Sequence, residues 1–192
     1  HQHPRIIKTL LAAGAKPNLS KRKKIYPLIQ AVVHNQSASA ELLLDAKADP
    51  NLTDEYLQGT ALHYAVNNDN LPLVRRLVKA GAKLNVSEKT LIPGHEEPQF
   101  IGGYTPLWLA RSEKIATYLI ENGADISVTD TNGMNVLHFA SATNNAALVK
   151  VILTTTIDKN AKTKAGKTAL QWARERKHAG IVKLFLASGG RE

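Results

Sequence analysis

The hexapeptide TALHYA at residues 60–65 is one of five related hexapeptides, and their recurrence decides the fold. The others begin at Tyr26, Thr105, Asn135 and Thr168, and the closing alanines of successive copies lie 34, 45, 30 and 33 residues apart. A second pattern follows each copy, as in LVKAGAKLN at 77–85. A period of roughly 20 to 50 residues is typical of proteins built from stacked repeats.

The repeat at residues 60–85 shows what each unit encodes. Thr60 is suited to cap a short helix, and the apolar residues within 62–66 give that helix one apolar face. The polar run 67–70 predicts a turn. A second amphipathic helix follows, with Pro72 in its first turn and an apolar stripe from Leu73 to Val78, and Gly81 ends it in a left-handed conformation. Helices this short are unstable alone, so the units must bury their apolar faces against one another in a solenoid.

These motifs resemble those of the ankyrin-repeat family, which has a period near 33 residues and a T-P-L-H-x-A hexapeptide. The resemblance covers roughly residues 4–189. It implies an all-α solenoid of helix-turn-helix units, with β-hairpin-like connections, here called fingers, along one edge of a concave binding face. About six repeats are predicted, the first without its first helix, in one array over 1–192 that is expected to be a fragment of a longer protein. The predicted units are 1–18, 19–51, 52–85, 86–127, 128–160 and 161–192.

Five positions depart from the family pattern. Lys47 and Thr156 stand where the turn glycine is expected, and Trp108, Ile29 and Gln171 stand where the hexapeptide histidine is expected. A β-branched residue is strained in the left-handed region. If the left-handed turn is kept at Thr156, we therefore expect the fifth repeat to be the weak point of the array.

The segment between repeats three and four is irregular. About twelve extra residues lie within 86–103, with turn signals at Pro93-Gly94 and Gly102-Gly103. An extended finger loop is predicted here, as a tolerated surface loop, a partner-contacting finger or a segment packed over a neighbouring domain. Repeat four is also three residues short between Ala110 and Gly123, which predicts a clipped turn between its two helices.

The net charge of +9 is concentrated at the two ends of the chain. Residues 1–24 hold seven Lys or Arg and no Asp or Glu, and residues 159–192 hold nine basic and two acidic residues. Residues 25–158 hold nine basic and fourteen acidic residues. Because sequence order is spatial order in a solenoid, this predicts two basic ends. They serve either to solvate the array ends or to dock acidic partners.

Residue patterns that could carry chemistry are weak in this chain. AKTKAGKT at 161–168 is close to a phosphate-binding P-loop, but it enters a short repeat helix, which favours an ordinary finger. His95-Glu96-Glu97 lacks the second histidine of a zinc motif, and the chain has no cysteine. For His63 and His138 the family resemblance implies structural hydrogen bonds. No catalytic, cofactor-binding or metal-binding residue is predicted.

The resemblance implies that partners bind at finger tips and at the exposed ends of the first helices. The corresponding residues are Arg22, Lys23, Ile25, His34, Tyr56, Asn67, Asn68, Tyr104, Trp108, Thr131, Asn132, Met134, Lys164, Lys167 and Arg176. For Trp108, core packing and an exposed contact both stay open. Tyr56 and Met134 are expected to be exposed apolar anchors.

The predicted function is that of a monomeric, non-catalytic module that binds another protein with acidic patches and takes no small-molecule substrate. Two alternatives are a binder of nucleic acid or anionic membrane that uses the basic ends, and a targeting domain of a larger enzyme, including a bacterial effector. The expected location is the cytoplasm, or the host-cell cytosol or nucleus for such an effector.

Overall fold

The structure, a computed structural model, describes residues 3–20, 25–92 and 99–189. Within these ranges, short α-helices account for most of the regular structure. The helices are α1 His3–Ala12, α2 Pro27–Val33, α3 Ser37–Asp45, α4 Ala61–Asn67, α5 Leu71–Lys79, α6 Glu113–Glu121, α7 Val136–Ala142, α8 Ala146–Ile152, α9 Ala169–Glu175 and α10 Ala179–Ala187. A 3-10 helix spans Pro106–Leu109, and the strands β1 Glu88–Ile92 and β2 Gln99–Tyr104 form one sheet.

The helices pack in two parallel rows. One row holds the first helix of each unit, namely α2, α4, the 3-10 helix, α7 and α9, and each packs on the next. The other row holds the second helices α1, α3, α5, α6, α8 and α10, which also pack in order. Apolar side chains such as Leu62, Val66 and Leu77 are fully buried between neighbours. The predicted all-α solenoid is therefore confirmed.

In repeats three and five the hexapeptide caps the first helix and connects it to the next repeat. The Thr60 hydroxyl and backbone N–H lie 2.9 and 3.1 Å from His63 Nδ1, which forms a reciprocal cap. The opposite nitrogen, His63 Nε2, lies 3.3 Å from the Tyr104 carbonyl oxygen in the following repeat. His138 repeats this geometry, 3.2 Å from the Lys167 carbonyl oxygen. Both histidines thus have the structural role that the resemblance implies.

A ladder of asparagines connects the turns that follow the second helices. Each asparagine side-chain oxygen accepts the backbone N–H of a residue in the next turn. The bonds join Asn18 to Asp49, Asn51 to Lys83 and Asn85 to Asp125, each at 2.8 Å. Ser127 occupies the next position, and its hydroxyl instead donates to Asp125 in its own turn at 2.6 Å. The asparagine ladder therefore ends at repeat four.

The left-handed strain expected at Thr156 lies at Lys47 instead. Lys47 has φ 63°, in the same turn position where Gly81 has φ 88°. Thr156 does not adopt a left-handed conformation. Helix α8 ends early, at Ile152, and the Thr155 hydroxyl donates to the Ile152 carbonyl oxygen at 2.6 Å. The turn after α8 is thus rebuilt, and the prediction of strain at Thr156 was wrong.

The inserted segment forms an antiparallel hairpin where a finger loop was predicted. Strand β1 pairs with β2 in a register that places Thr90 opposite Ile101 and Ile92 opposite Gln99. The hairpin is joined to the preceding finger, because the Lys89 backbone N–H donates to the Leu57 carbonyl oxygen at 2.6 Å. The sequence motif His95-Glu96-Glu97 lies outside the described residues.

The three residues missing from repeat four come from its first helix, where a clipped turn was predicted. The 3-10 helix Pro106–Leu109 has four residues, whereas the flanking first helices α4 and α7 have seven. The connection to α6 has three residues, 110–112, as many as the connection 68–70 after α4. Ala110 is extended, at φ −64° and ψ 124°, so the first helix stops one turn early.

We expect Lys47→Gly to stabilise the array by about 0.5–1 kcal/mol. Glycine removes a left-handed penalty of roughly 1–2 kcal/mol, which exceeds its extra unfolded-state entropy. The measurement is the thermal unfolding midpoint. Thr156→Gly is the matched control and should leave the midpoint unchanged or lower it. If Thr156→Gly stabilised the protein more than Lys47→Gly, the assignment of the left-handed strain to Lys47 would be contradicted.

Shortening the hairpin should leave the fold intact. Replacing residues 91–100 by Asn-Gly joins Thr90 to Ile101, which already face each other, through a favoured two-residue turn. Since the entropic cost of closing a loop grows slowly with its length, we expect the free energy of unfolding to change by less than about 1 kcal/mol. Circular dichroism should show the same helix content and one cooperative transition. A shortened protein that fails to fold would show that the hairpin tip supports the core.

Candidate functional site

Two of the described fingers are short turns whose backbone is held by an aspartate side chain. Outside the long hairpin, the described fingers are closed by isolated antiparallel bridges that pair Thr53 with Thr60, Thr129 with Asn135 and Lys162 with Thr168. In the first of these, the Asp54 carboxylate accepts backbone N–H groups from Tyr56, Leu57 and Gly59 at 2.8–2.9 Å. In the finger between Thr129 and Asn135, the Asp130 carboxylate accepts backbone N–H groups from Asn132 and Met134. The side chains at these two finger tips therefore lie on fixed turns.

Many of the predicted site residues are exposed along the finger and first-helix edge. Tyr56 is 69% exposed at a finger tip and Ile25 is 50% exposed. The other exposed members of the predicted set are His34, Asn67, Thr131, Asn132, Lys164 and Arg176. Arg22 and Lys23 lie outside the described residues.

Other members of the predicted set pack within the array. Met134 is half-buried against the core, where an exposed anchor was expected. Asn68 donates from Nδ2 to the Val32 carbonyl oxygen at 2.8 Å, which ties two repeats together. Tyr104 is half-buried and packs on neighbouring aromatic rings. These three side chains therefore have structural contacts that limit what they can offer a partner.

Trp108 is 1% exposed, which decides the open alternative in favour of packing. Its ring centroid lies 4.9 Å from that of Tyr104 and 5.5 Å from that of Phe139, and the latter two are 4.8 Å apart. The buried Trp108 Nε1 has no hydrogen-bond partner within the described part of the chain. An aromatic cluster thus stands where His63 and His138 form a histidine-to-carbonyl link in their own repeats.

The last repeat places two cations on one tryptophan. Lys167 Nζ lies 5.1 Å and the Arg176 guanidinium 5.3 Å from the centre of the Trp172 ring. Lys167 is also paired with Glu175 at 2.7 Å. The turn containing Gly166 closes on itself, since the Gly166 N–H donates to the Thr163 carbonyl oxygen at 2.8 Å. The P-loop-like motif is therefore part of a finger.

A cleft of about 420 Å³ lies beside the shortened helix of repeat four. It is lined by Asn67 at the end of α4, Trp108 and Leu109 of the 3-10 helix, Arg111 in the following connection, and Phe139, Thr143 and Asn145 around the end of α7. The predicted set contains two of these residues, Asn67 and Trp108. The deficit of three residues in repeat four is the sequence signal that could have indicated the rest.

Two neighbouring carboxylates, the buried Glu88 and the half-buried Asp54, lie at the base of the hairpin. Glu88 is 6% exposed, and burial together with the neighbouring Asp54 carboxylate raises the pKa of Glu88 to about 7. A Cβ added at Gly59 would lie 3.1 Å from Asp54 Oδ2 and 3.2 Å from Glu88 Oε2, so both carboxylates lie beside this glycine. The Tyr64 hydroxyl donates to Asp54 at 2.7 Å. Burial lowers the pKa of nearby His63 to about 4.

The family model for ankyrin repeats matches the chain in three copies, at residues 1–88, 59–130 and 107–191. The chain belongs to the ankyrin-repeat family. Ankyrin repeats are protein–protein interaction modules. Every helix within the described ranges is too short or too polar to cross a membrane.

The ankyrin array is similar to parts of much longer curated proteins. It is 35% identical to palmitoyltransferase AKR1 of Lachancea kluyveri over 141 residues, which cover 68% of the chain and 17% of the relative. It is 28% identical to E3 ubiquitin-protein ligase KEG of Arabidopsis thaliana, over 98% of the chain and 12% of the relative. It is 29% identical to human Neurogenic locus notch homolog protein 1, over 87% of the chain and 6% of the relative. The chain thus spans less than a fifth of each.

We expect Glu88→Gln to stabilise the ankyrin array increasingly as pH rises from 5 to 8. The pKa of Glu88 is about 7 in the folded protein, above its ordinary value of 4.5. Between pH 4.5 and 7 the folded protein therefore keeps a proton on Glu88 that the unfolded chain has lost. Its stability therefore falls as pH rises, by roughly 2–3 kcal/mol, and glutamine removes this loss. His63, with its lowered pKa, acts in the opposite direction in both proteins. The useful measurement is therefore the difference in unfolding midpoint between variant and wild type.

The matched control is Glu121→Gln, which changes an exposed carboxylate on α6. The midpoint difference for Glu88→Gln should grow with pH relative to that of this control. If the two variants show the same pH dependence, burial does not raise the pKa of Glu88.

Proposed function

We propose that the finger and first-helix edge of this ankyrin array binds a partner protein and that the chain itself is non-catalytic. The observation that carries the proposal is the row of exposed side chains held on fixed turns, led by Tyr56 at 69% exposure. Aromatic side chains of this kind anchor protein interfaces because they bury a large area with little loss of entropy. Tyr56 is the central contact of the proposed surface.

The charge of the last repeat supports a partner with acidic patches. Lys162, Lys164 and Arg176 are exposed on its finger and first helix, in a segment with few acidic residues. Such charges mainly raise the association rate and orient the partner, whereas buried apolar anchors slow dissociation. We place the monomeric array in the cytoplasm, or in the host cytosol or nucleus for a delivered effector, where it binds without a cofactor or a small-molecule substrate.

A second candidate is that the array targets a larger enzyme. The names of two relatives, a palmitoyltransferase and a ubiquitin ligase, describe enzymes of which this chain matches less than a fifth. In this version the array selects the protein on which a catalytic domain elsewhere acts. The binding surface is the same in both versions.

The test is affinity capture of partners from a cell lysate, followed by binding kinetics with each captured protein. Tyr56→Ala should speed dissociation about tenfold or more, since anchor residues contribute at least about 2 kcal/mol. Lys164→Glu should slow association and reduce its dependence on salt. Because both side chains are exposed, neither change should lower the unfolding midpoint.

The matched controls alter the other row of helices. Leu186→Ala and Lys183→Glu change exposed residues of α10 and should leave both rates unchanged. If the control variants weaken binding and the finger variants do not, the interface lies on the second helices. If the array instead binds duplex DNA or anionic vesicles, with affinity that falls steeply with salt, the nucleic-acid or membrane alternative replaces this proposal.

A further inference from the structure

We infer that the cleft beside the shortened helix of repeat four is a specificity pocket, which binds one apolar side chain followed by an acidic residue in a partner segment. This inference rests on the proposed protein-binding function and names the chemistry that one part of the surface selects. It concerns residues outside the finger tips, chiefly Leu109, Arg111 and Phe139.

The cleft is formed by a specific change in the chain. Helices α4 and α7 on either side continue to Asn67 and Ala142, while the 3-10 helix between them stops at Leu109. The missing residues amount to about one helical turn. The cleft is lined by the ends of these three helices and by the connections that follow them, so it occupies the position of the missing turn.

The floor of the cleft is suited to an apolar group. Leu109 and Phe139 are half-buried there, and Phe139 belongs to the aromatic cluster with Trp108 and Tyr104, at centroid distances of 4.8 to 5.5 Å. The three rings are locked by mutual packing, so the floor is preorganised. A volume of about 420 Å³ is enough for one large side chain and the adjoining backbone.

The rim of the cleft favours a carboxylate. Arg111 is exposed, lines the cleft and lies 3.2 Å from Asn67 Oδ1 through Nη2. It forms no ion pair within the described ranges, and the described lining residues include no Asp or Glu. A guanidinium has five N–H donors in a planar fork that matches a carboxylate. An acidic residue next to the apolar side chain would complement this charge.

The proposed occupant of the cleft is an internal segment of the partner in which Asp or Glu directly follows Phe or Leu. The direct probe is acetyl-Phe-Asp-amide, compared with acetyl-Phe-Asn-amide, which has nearly the same shape without the charge. Binding is followed by NMR of the indole N–H groups, since the chain has two tryptophans and Trp172 serves as an internal reference for Trp108. We expect the Asp peptide to shift the Trp108 signal with a Kd on the order of 1 mM.

The Asn peptide should bind about tenfold more weakly. Arg111→Gln should make the two peptides bind equally, which a merely structural role of Arg111 would not do. Equal binding of both peptides to the wild-type protein, or no shift of the Trp108 signal at all, would overturn the inference. Tighter binding of N-acetylphenylalanine than of the Asp peptide would also overturn it, because the pocket would then select a chain terminus.

Two further variants test the location of the pocket. Inserting Val-Asn-Asn after Ala110, copied from residues 66–68, restores the missing turn and should abolish the shift. Thr143→Trp fills the cleft from an exposed rim position and should do the same, with Thr154→Trp outside the cleft as the matched control. Helical circular dichroism checks that each variant folds. Peptide binding that survives both changes would place the site elsewhere.

These titrations are independent of the finger variants. Tyr56→Ala and Lys164→Glu should leave the Trp108 shift unchanged, because neither residue lines the cleft. Loss of partner binding in the finger variants with no peptide binding at the cleft would retain the proposed function and overturn only the pocket. If the peptide binds at the cleft and the finger variants still bind the partner normally, the pocket is retained and the interface does not include the fingers.

Discussion

The structure depends on burial of apolar surface between helices that are too short to be stable alone. The first helices have seven residues or fewer, and the second helices within repeats two to six have seven or nine. Isolated helices of this length are marginal in water, so each one gains its stability from the neighbours in its row. The polar links across repeats, from His63 and His138 and from the asparagine ladder, fix the stacking once burial has brought the units together.

Repeat four is where this regular stacking changes. A hairpin is inserted before its first helix, and that helix loses about one turn. The position that holds a linking histidine in repeats three and five is here the buried Trp108. The aromatic cluster around Trp108 compensates by packing against the next first helix through Phe139. Continuity of the core is thereby kept, while an open cleft is left at the helix end. The same departure from the repeat pattern thus creates both the unusual packing and the proposed pocket.

Charged side chains have different effects in the last repeat and at the hairpin base. The exposed cations of the last repeat carry the charge that a partner would meet first. At the hairpin base, by contrast, burial and then the neighbouring Asp54 carboxylate raise the pKa of Glu88. The exposed cations therefore affect the association rate with a partner, whereas the buried Glu88 affects the stability of the fold.

The sequence by itself determined the repeat register, the two-helix unit and the position of the insertion, because these follow from periodicity and turn signals that recur along the chain. The structural role of His63 and His138 followed from the family resemblance. Only the tertiary structure decided how the departures are accommodated. Thr156 escapes the left-handed region because α8 ends early, whereas Lys47 does not. The missing residues of repeat four come from a helix, and their loss opens a cleft that three separate segments line. Such outcomes depend on which neighbouring atoms fill the space, and a linear pattern carries no information about that packing.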